Sequence, residues 1–290
     1  MLRKHFYSPV PNLSEVNRAE LITSALPVGI DFRSDFQRSL LASFIKKYGE
    51  EFEKFNPGGK AYYGYKSGNT FFESVDCEML YAMVRKQSPK RIIEVGSGNS
   101  TLVILEAIRD VKKNNKAYQC AYTSINPNHP DFLMPFEQDV KLVNKRLQDL
   151  DMTLFDQLGE GDILFIDSSH MVKVQSDAYY LYLRILPLIA KGVFVHIHDI
   201  FFPMDYPSDW FFKNHRFWNE QYVLQAFLTG NREFEVWWSS SFMDHYHAAE
   251  LKDSLTGYNN RSNPGSFWMR RCDMHNEGVS NQTATESAPR

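Results

Sequence analysis

A doubly wound α/β fold on a mostly parallel sheet is predicted by three features of this sequence. A β-branched run, Arg91-Ile-Ile-Glu-Val95, ends in two glycines one residue apart, Gly96 and Gly98, and a polar pair, Ser100 and Thr101, then opens an apolar helical stretch. Downstream, short apolar strands alternate with helix-period segments, and repeated βα units specify a parallel sheet with ligands at the carboxyl ends of its strands. The 290 residues are 43% hydrophobic and 23% charged, enough to bury one large core or two modest ones.

Taken in order, residues 1–33 read as an irregular lead-in, since Pro9, Pro11 and Pro27 interrupt any long helix. From Ser34, a suitable N-cap, Phe36, Leu40, Phe44, Tyr48 and Phe52 recur every four residues and predict one amphipathic helix, ended by Asn56-Pro-Gly-Gly59. A loop carrying Tyr62, Tyr63 and Tyr65 leads to a second helix near 73–86 and then to the Gly-turn strand. The later strands are expected at 118–125, 140–143, 163–167, 193–199, 234–238 and 266–270, with helices at 101–113, 171–189 and 219–229. No strong helical pattern separates the last two strands, which permits an antiparallel hairpin at the sheet edge. The final segment, rich in Ser, Thr, Asn and Glu and without aromatics, is expected to be disordered. The expected division is a helical extension over 1–72 that caps the site, a main domain over 73–271 and a tail over 272–290.

Several function classes are disfavoured. A net charge of −3 gives no electrostatic case for nucleic acid or acidic membranes. Cys77, Cys120 and Cys272 are scattered, so neither a disulfide framework nor a cysteine metal spacing emerges. With no apolar leader and no run of about eighteen apolar residues, a cytoplasmic protein is expected. A homo-oligomer is left open. The turn at residues 94–101 suits a cofactor carboxylate or phosphate, because glycine allows close backbone approach and the helix N-terminus offers free N–H groups. A dinucleotide fingerprint needs a third glycine where Thr101 stands, which weakens a nicotinamide-dependent oxidoreductase.

Glu94-x-Gly-x-Gly98, the segment Gly161-Asp-Ile-Leu-Phe-Ile-Asp-Ser-Ser-His170 and the segment Lys191-Gly-Val-Phe-Val-His-Ile-His-Asp199 together resemble the motifs of class I S-adenosylmethionine (SAM)-dependent methyltransferases. The likeness covers about residues 60–271, and is narrowest to a bacterial group with Phe-Ile-Asp-x-x-His and His-x-His-Asp-Ile-Phe segments. It implies a Rossmann-like, seven-stranded sheet whose last strand is antiparallel. It also implies that Glu94, Gly96, Ser97, Gly98 and Ser100 receive the amino-acid end of SAM. Asn126 stands where the family usually has the acid that accepts from the ribose, and Asp149 is placed for the adenine amino group.

By the same resemblance, Asp167 and Asp199 match acids that hold a divalent metal in metal-dependent catechol and macrolide-sugar O-methyltransferases. His170, three residues beyond Asp167, matches the base that takes a hydroxyl proton, and Asp167 also borders the cofactor. His198 falls at the third ligand position. Oxygen ligands suit Mg²⁺, whereas a His–carboxylate mixture suits Mn²⁺, Zn²⁺ or Fe²⁺ better. A reading of His196 and His198 as hydrogen-bonding groups without metal stands level with the metal one. The aromatic run after Asp199 (Phe201, Phe202, Tyr206, Trp210, Phe211, Phe212, Phe217, Trp218) is expected to wall an apolar, aromatic or sugar acceptor, with Tyr62, Tyr63 and Tyr65 closing the far side. The expected activity is therefore O-methylation of a small-molecule hydroxyl. The alternative from another class is a SAM- or sugar-binding protein that has lost catalysis.

Overall fold

The computed structural model describes residues 7–8, 10–21, 26–259 and 263–272. Its helices are α1 (Arg18–Leu21), α2 (Ser34–Phe52), α3 (Asp76–Gln87), α4 (Asn99–Asn114), α5 (Asp177–Tyr180), α6 (Ser208–Phe212), α7 (Glu220–Leu228) and α8 (Ser240–Ser254). Its strands are β1 (Arg91–Val95), β2 (Ala121–Ile125), β3 (Lys141–Val143), β4 (Ile163–Ile166), β5 (Phe194–Ile197), β6 (Phe234–Ser239) and β7 (Phe267–Arg271). They form one seven-stranded sheet in the order β3-β2-β1-β4-β5-β7-β6. The first five are parallel, and β7 runs antiparallel to both β5 and β6. The expected doubly wound architecture is the observed one.

Strands β4 (Ile-Leu-Phe-Ile) and β5 (Phe-Val-His-Ile) are buried along their whole length, as continuous apolar runs in a helix-covered parallel sheet must be. The ladder runs one residue past each: Asp167 N–H donates to Val95 (2.8 Å) and His198 N–H to Ile166 (2.8 Å). Both residues are thereby fixed at the carboxyl edge. The order reverses between β1 and β4, and a cleft opens there.

Helix α2 buries Leu40, Leu41, Phe44, Tyr48 and Phe52 into the same core as the sheet. Beside it, Lys54 donates to Asp110 on α4 (2.5 Å), and Arg85 on α3 pairs with Glu51. Ser34 does not cap α2 as expected: its hydroxyl bonds His247 Nε2 (2.8 Å), and Arg33 stands before the helix in the left-handed region.

Two other expectations fail locally. Between β6 and β7, where no helix was expected, lies α8; its buried side chains, such as Phe242, Met243 and Leu251, do not form a regular stripe, and His247 kinks it. The helix expected at 171–189 is broken. Residues 171–175 form a loop, Ser176 caps α5 by accepting from Tyr179 N–H, and a π turn (Leu181–Ile185) and a 3₁₀ turn containing Pro187 follow. The expected disordered tail, Cys272 apart, lies outside the described residues.

Candidate active site

The turn after β1 is built around a buried acid. Glu94 is fully buried, and its carboxylate accepts from Ser100 Oγ (2.8 Å), Thr101 Oγ1 (2.8 Å), Tyr122 OH (2.7 Å) and Ser124 Oγ (2.7 Å). Both oxygens are engaged, so Glu94 does not present a free carboxylate to a cofactor ammonium. It ties β1, β2 and the first turn of α4 together. The Ser100 hydroxyl is likewise spent on Glu94, leaving that residue its backbone N–H at the helix N-terminus.

Burial pushes the Glu94 carboxyl up to about 7 from the ordinary 4.5, against the lowering effect of its four hydroxyl donors. The folded chain therefore holds this proton more tightly than the unfolded chain does. The corresponding stability is fully present below about pH 4.5 and is lost as pH rises to about 7, a change of roughly 3 kcal/mol. Glu94→Gln is expected to flatten that slope. Melting temperatures of both proteins between about pH 4.5 and pH 8 check it, and parallel profiles would refute it.

Gly96 has φ +88°, and a Cβ there would lie 2.1 Å from the Asp167 carbonyl oxygen. Glycine is required by strand-to-strand approach, not by contact with a ligand. At Gly98 a Cβ meets nothing within 4 Å, so this is the turn position open to a ligand. Ser97 Oγ bonds His129 Nδ1 (2.9 Å) and accepts from Asn126 Nδ2 (3.0 Å). The cleft at the switch point is about 470 Å³, and Gly96, Asn126, Gln148, Asp167, Ser169 and Lys173 line it. Asp149 does not. It makes a two-pronged pair with Arg146 (2.8 and 2.7 Å) at the surface, while Arg146 and Gln148 face the cleft in its place.

Across the sheet edge, Asp167, His170 and Asp199 converge, with one donor atom from each lying within 4.8 Å of the others. His170 Nε2 is 3.2 Å from Asp167 Oδ1 and 3.7 Å from Asp199 Oδ2. Its Nδ1 is 2.8 Å from Glu220 Oε2, and its ring stacks on Trp218 at 4.0 Å. Glu220, fully buried, also accepts from Ser168 Oγ (3.1 Å). His170 and Asp199 both hold left-handed backbone, φ 57° and 59°, a strain of about 1–3 kcal/mol each that packing sustains. The N-terminus of α7 clasps the loop: the Asn219 side chain accepts from Val172 N–H (2.7 Å), and the Asn219 N–H donates to the His170 carbonyl (3.2 Å).

Burial alone would lower the His170 pKa, but hydrogen bonds and charge from Asp167 and Glu220 raise it well above the ordinary value. For Asp167, burial pushes upward, yet His170 and His198 bring the pKa below the usual carboxyl range. Asp199 is raised, chiefly by burial.

His198 is not the third member of this cluster. Its Nε2 faces the Phe71 carbonyl at 3.2 Å, and although it lies 3.7 Å from Asp199, as His170 does, it falls outside the group in which Asp167, His170 and Asp199 lie within 4.8 Å of one another. His196 is fully buried, bonds Ser266 Oγ (2.8 Å) and stacks on Phe165 at 4.0 Å; burial lowers its pKa well below the ordinary value. It is a neutral core residue.

Beyond Asp199 a second cavity of about 670 Å³ opens, lined among others by Asp76, His198, Asp199, Phe201 and Trp210. Its far wall comes from Ser67–Ser74, not from the tyrosines. Tyr65 is buried with its hydroxyl on the Phe72 carbonyl (2.7 Å), Tyr63 is also buried and Tyr62 is exposed; none lines either cavity. Sequence reasoning missed Glu220, which reads only as a helix-start acid, and the backbone of 67–74.

A seven-stranded sheet with an antiparallel β7 inserted between β5 and β6, and a cofactor-sized cleft at the β1/β4 switch point, narrows the family. A methyltransferase-domain family model matches residues 93–200, the span from β1 through β5 that holds the Gly turn and all three cluster residues. The chain belongs to the class I SAM-dependent methyltransferases. Over 168 residues this methyltransferase is 31% identical to an uncharacterized protein of Archaeoglobus fulgidus, covering 55% of this chain and 74% of that one. It is also similar to two solved structures. One is an SAH-bound Podospora anserina methyltransferase, with 17% identity, 87% of this chain and 100% of the other covered and a TM-score of 0.43. The other is a SAM-bound O-methyltransferase of Streptomyces achromogenes, with 12% identity, 80% and 89% covered and a TM-score of 0.43. Among the described residues, no helix is long and apolar enough to cross a membrane.

Proposed function

We propose that this methyltransferase moves the SAM methyl group to a hydroxyl of a small molecule, with His170 as the proton acceptor. The observation that carries the reading is the position of His170: Glu220 holds its Nδ1, and its Nε2 points between Asp167, which lines the cofactor cleft, and Asp199, which lines the second cavity. SAM binds over Gly96 and Gly98 with its methyl end toward Asp167, and the acceptor enters from the Asp199 side. The O–CH₃ bond forms as the S–CH₃ bond breaks, the hydroxyl proton passes to Nε2, and S-adenosylhomocysteine (SAH) leaves. An activated methyl needs no further activation, so positioning and proton removal are the protein's contributions. Once the ring has lost its Nε2 proton, Glu220 keeps the remaining proton on Nδ1 so that Nε2 can take the acceptor's proton, and Glu220 and Asp167 together stabilise the imidazolium that forms.

The same three donors fit a divalent cation. Two carboxylates and an imidazole suit Mn²⁺, Fe²⁺ or Zn²⁺, and the Glu220 carboxylate on Nδ1 is the usual support of a liganding histidine. Asp167, Asp199 and His170, in place of His198, would hold it, and bound there it would acidify the acceptor hydroxyl.

Transfer of tritiated methyl from SAM to a panel of small-molecule alcohols, run against pH and with a chelator, tests this reading. His170 must be unprotonated to act, and its neighbours raise its pKa. The acid limb of kcat/KM is therefore expected above the ordinary histidine value of about 6.5, and Glu220→Gln should move it down toward that value. A limb that stays in place in Glu220→Gln removes His170 from the role. Full activity after chelation leaves the cluster as a proton-accepting group without metal.

A further inference from the structure

Helix α7 opens on three consecutive polar residues, Asn219-Glu220-Gln221, and each sends its side chain to a loop outside its own helix. Asn219 stands at the N-cap position, where an asparagine oxygen ordinarily accepts from an N–H of the first helical turn. Here it makes no such bond. Its amide instead pairs with Val172 in the loop after β4: Oδ1 accepts from the N–H (2.7 Å) and Nδ2 donates to the carbonyl (3.2 Å). Gln221, 2% exposed, reaches the opposite way, into the turn after β5. Its Oε1 accepts from Phe201 N–H (2.6 Å) and its Nε2 donates to the Met204 carbonyl (3.0 Å).

The free N–H groups of this helix start divide in the same manner. Those of Asn219 and Glu220 donate to the His170 carbonyl (3.2 and 3.3 Å), and that of Gln221 to the Tyr206 hydroxyl (2.8 Å). One turn of helix therefore grips both loops that flank the reaction centre, with Glu220 on His170 between them. A primary amide carries a donor and an acceptor side by side, as the backbone does, so Asn and Gln fit this task where an acid or an alkyl chain does not. The grip falls where the backbone is strained. His170 and Asp199, both left-handed, each lie two residues before a clasped N–H, that of Val172 and that of Phe201.

The two loops serve different ligands. Ser169, Lys173, Gln175 and Ser176 of the first line the cofactor cleft, whereas Asp199 and Phe201 of the second line the other cavity. A cap stabilises its own helix; these amides forgo that and fix the spacing of two loops.

We propose that Asn219 and Gln221 are positioning residues for methyl transfer. Asn219 sets the wall of the cofactor cleft together with the placement of His170, and Gln221 sets Asp199 and the acceptor side. The proposal rests on the hydroxyl-transfer reading above for its turnover arm, but not for its binding arm.

The test compares Asn219→Ala and Gln221→Ala with the full wild-type chain. Calorimetric titration of SAH reads the cleft, and tritiated-methyl transfer to catechol, glucose and 2-phenylethanol reads turnover. Turnover is counted per SAH-binding site, so that a smaller folded fraction does not register as lost catalysis. Two hydrogen bonds of ordinary strength bias a loop by about tenfold, so Asn219→Ala is expected to weaken SAH binding by about tenfold. Gln221→Ala should leave SAH affinity unchanged, since its bonds lie on the acceptor side. Both variants should lower kcat per site by about tenfold to hundredfold, the scale of a reacting group displaced by about 1 Å. If Gln221→Ala does not fold, Gln221→Met, which keeps the side-chain length and removes both amide arms, takes its place. Unchanged SAH affinity in Asn219→Ala, an equal loss of it in the Gln221 variant, or wild-type kcat per site in either would overturn the proposal. If the wild type methylates none of the three alcohols, that counts against the hydroxyl-transfer reading, and the SAH contrast alone decides the positioning roles.

Discussion

His170→Ala is expected to lower turnover by about a hundredfold to ten-thousandfold, the usual cost of a lost general base, while SAM still binds. The structure adds a second effect. His170 is the charge partner of a fully buried carboxylate, and removing it leaves Glu220 with hydroxyl neighbours, Ser168 and Tyr182, among the described residues, at about 3–5 kcal/mol. Melting temperature should therefore fall together with turnover, and the single variant cannot separate structure from chemistry. The double variant His170→Ala/Glu220→Gln does so. Neutralising the stranded acid is expected to restore most of the melting temperature but none of the turnover. If the double variant recovers both, His170 acts through stability and the proton acceptor lies elsewhere.

The two glycines of the turn give the second large effect, and they separate cleanly. Gly96→Val forces a β-branched residue to φ +88° and drives its Cβ to 2.1 Å from a backbone oxygen on the neighbouring strand. Backbone strain and overpacking together cost roughly 3–6 kcal/mol, a large part of the stability of an ordinary domain. The melting temperature is expected to drop by about 10 °C or more, or the protein to fail to accumulate. Gly98→Val, whose side chain enters open space, is expected to keep its melting temperature and lose SAM affinity. Thermal melts and SAM titration of the pair check this. A well-folded Gly96→Val variant, or a Gly98→Val variant with undiminished affinity, would contradict the geometry.

The contrast between these glycines shows what was legible in the sequence. The β1 strand, the turn and the helix follow from local chemistry, and the parallel sheet follows from alternating apolar segments; both are properties of neighbours along the chain. Asp167, His170 and Asp199 were also readable, because they sit at the ends of buried strands whose positions the pattern fixes. What the sequence hides is direction. Glu94 and Asp149 are both acids near the expected cofactor, but Glu94 is turned inward to four hydroxyls and Asp149 outward to Arg146. His196 lies in β5 and His198 just past its end, yet one is a core ring stacked on Phe165 and the other faces the second cavity. Glu220 lies 50 residues beyond His170, and only the clasp of α7 over the loop after β4 brings them together. Helix α8 is not legible because its burial comes from packing on α2, not from a stripe in its own sequence.

The central claim, that the cleft beside Gly96 at the β1/β4 switch point is a SAM site, is tested most directly by calorimetric titration of the protein with SAM, SAH and NAD side by side. Saturable binding of SAM and SAH near one equivalent per chain, with no heat from NAD, is the predicted result. Binding of NAD in place of SAM, or of none of the three, would contradict it.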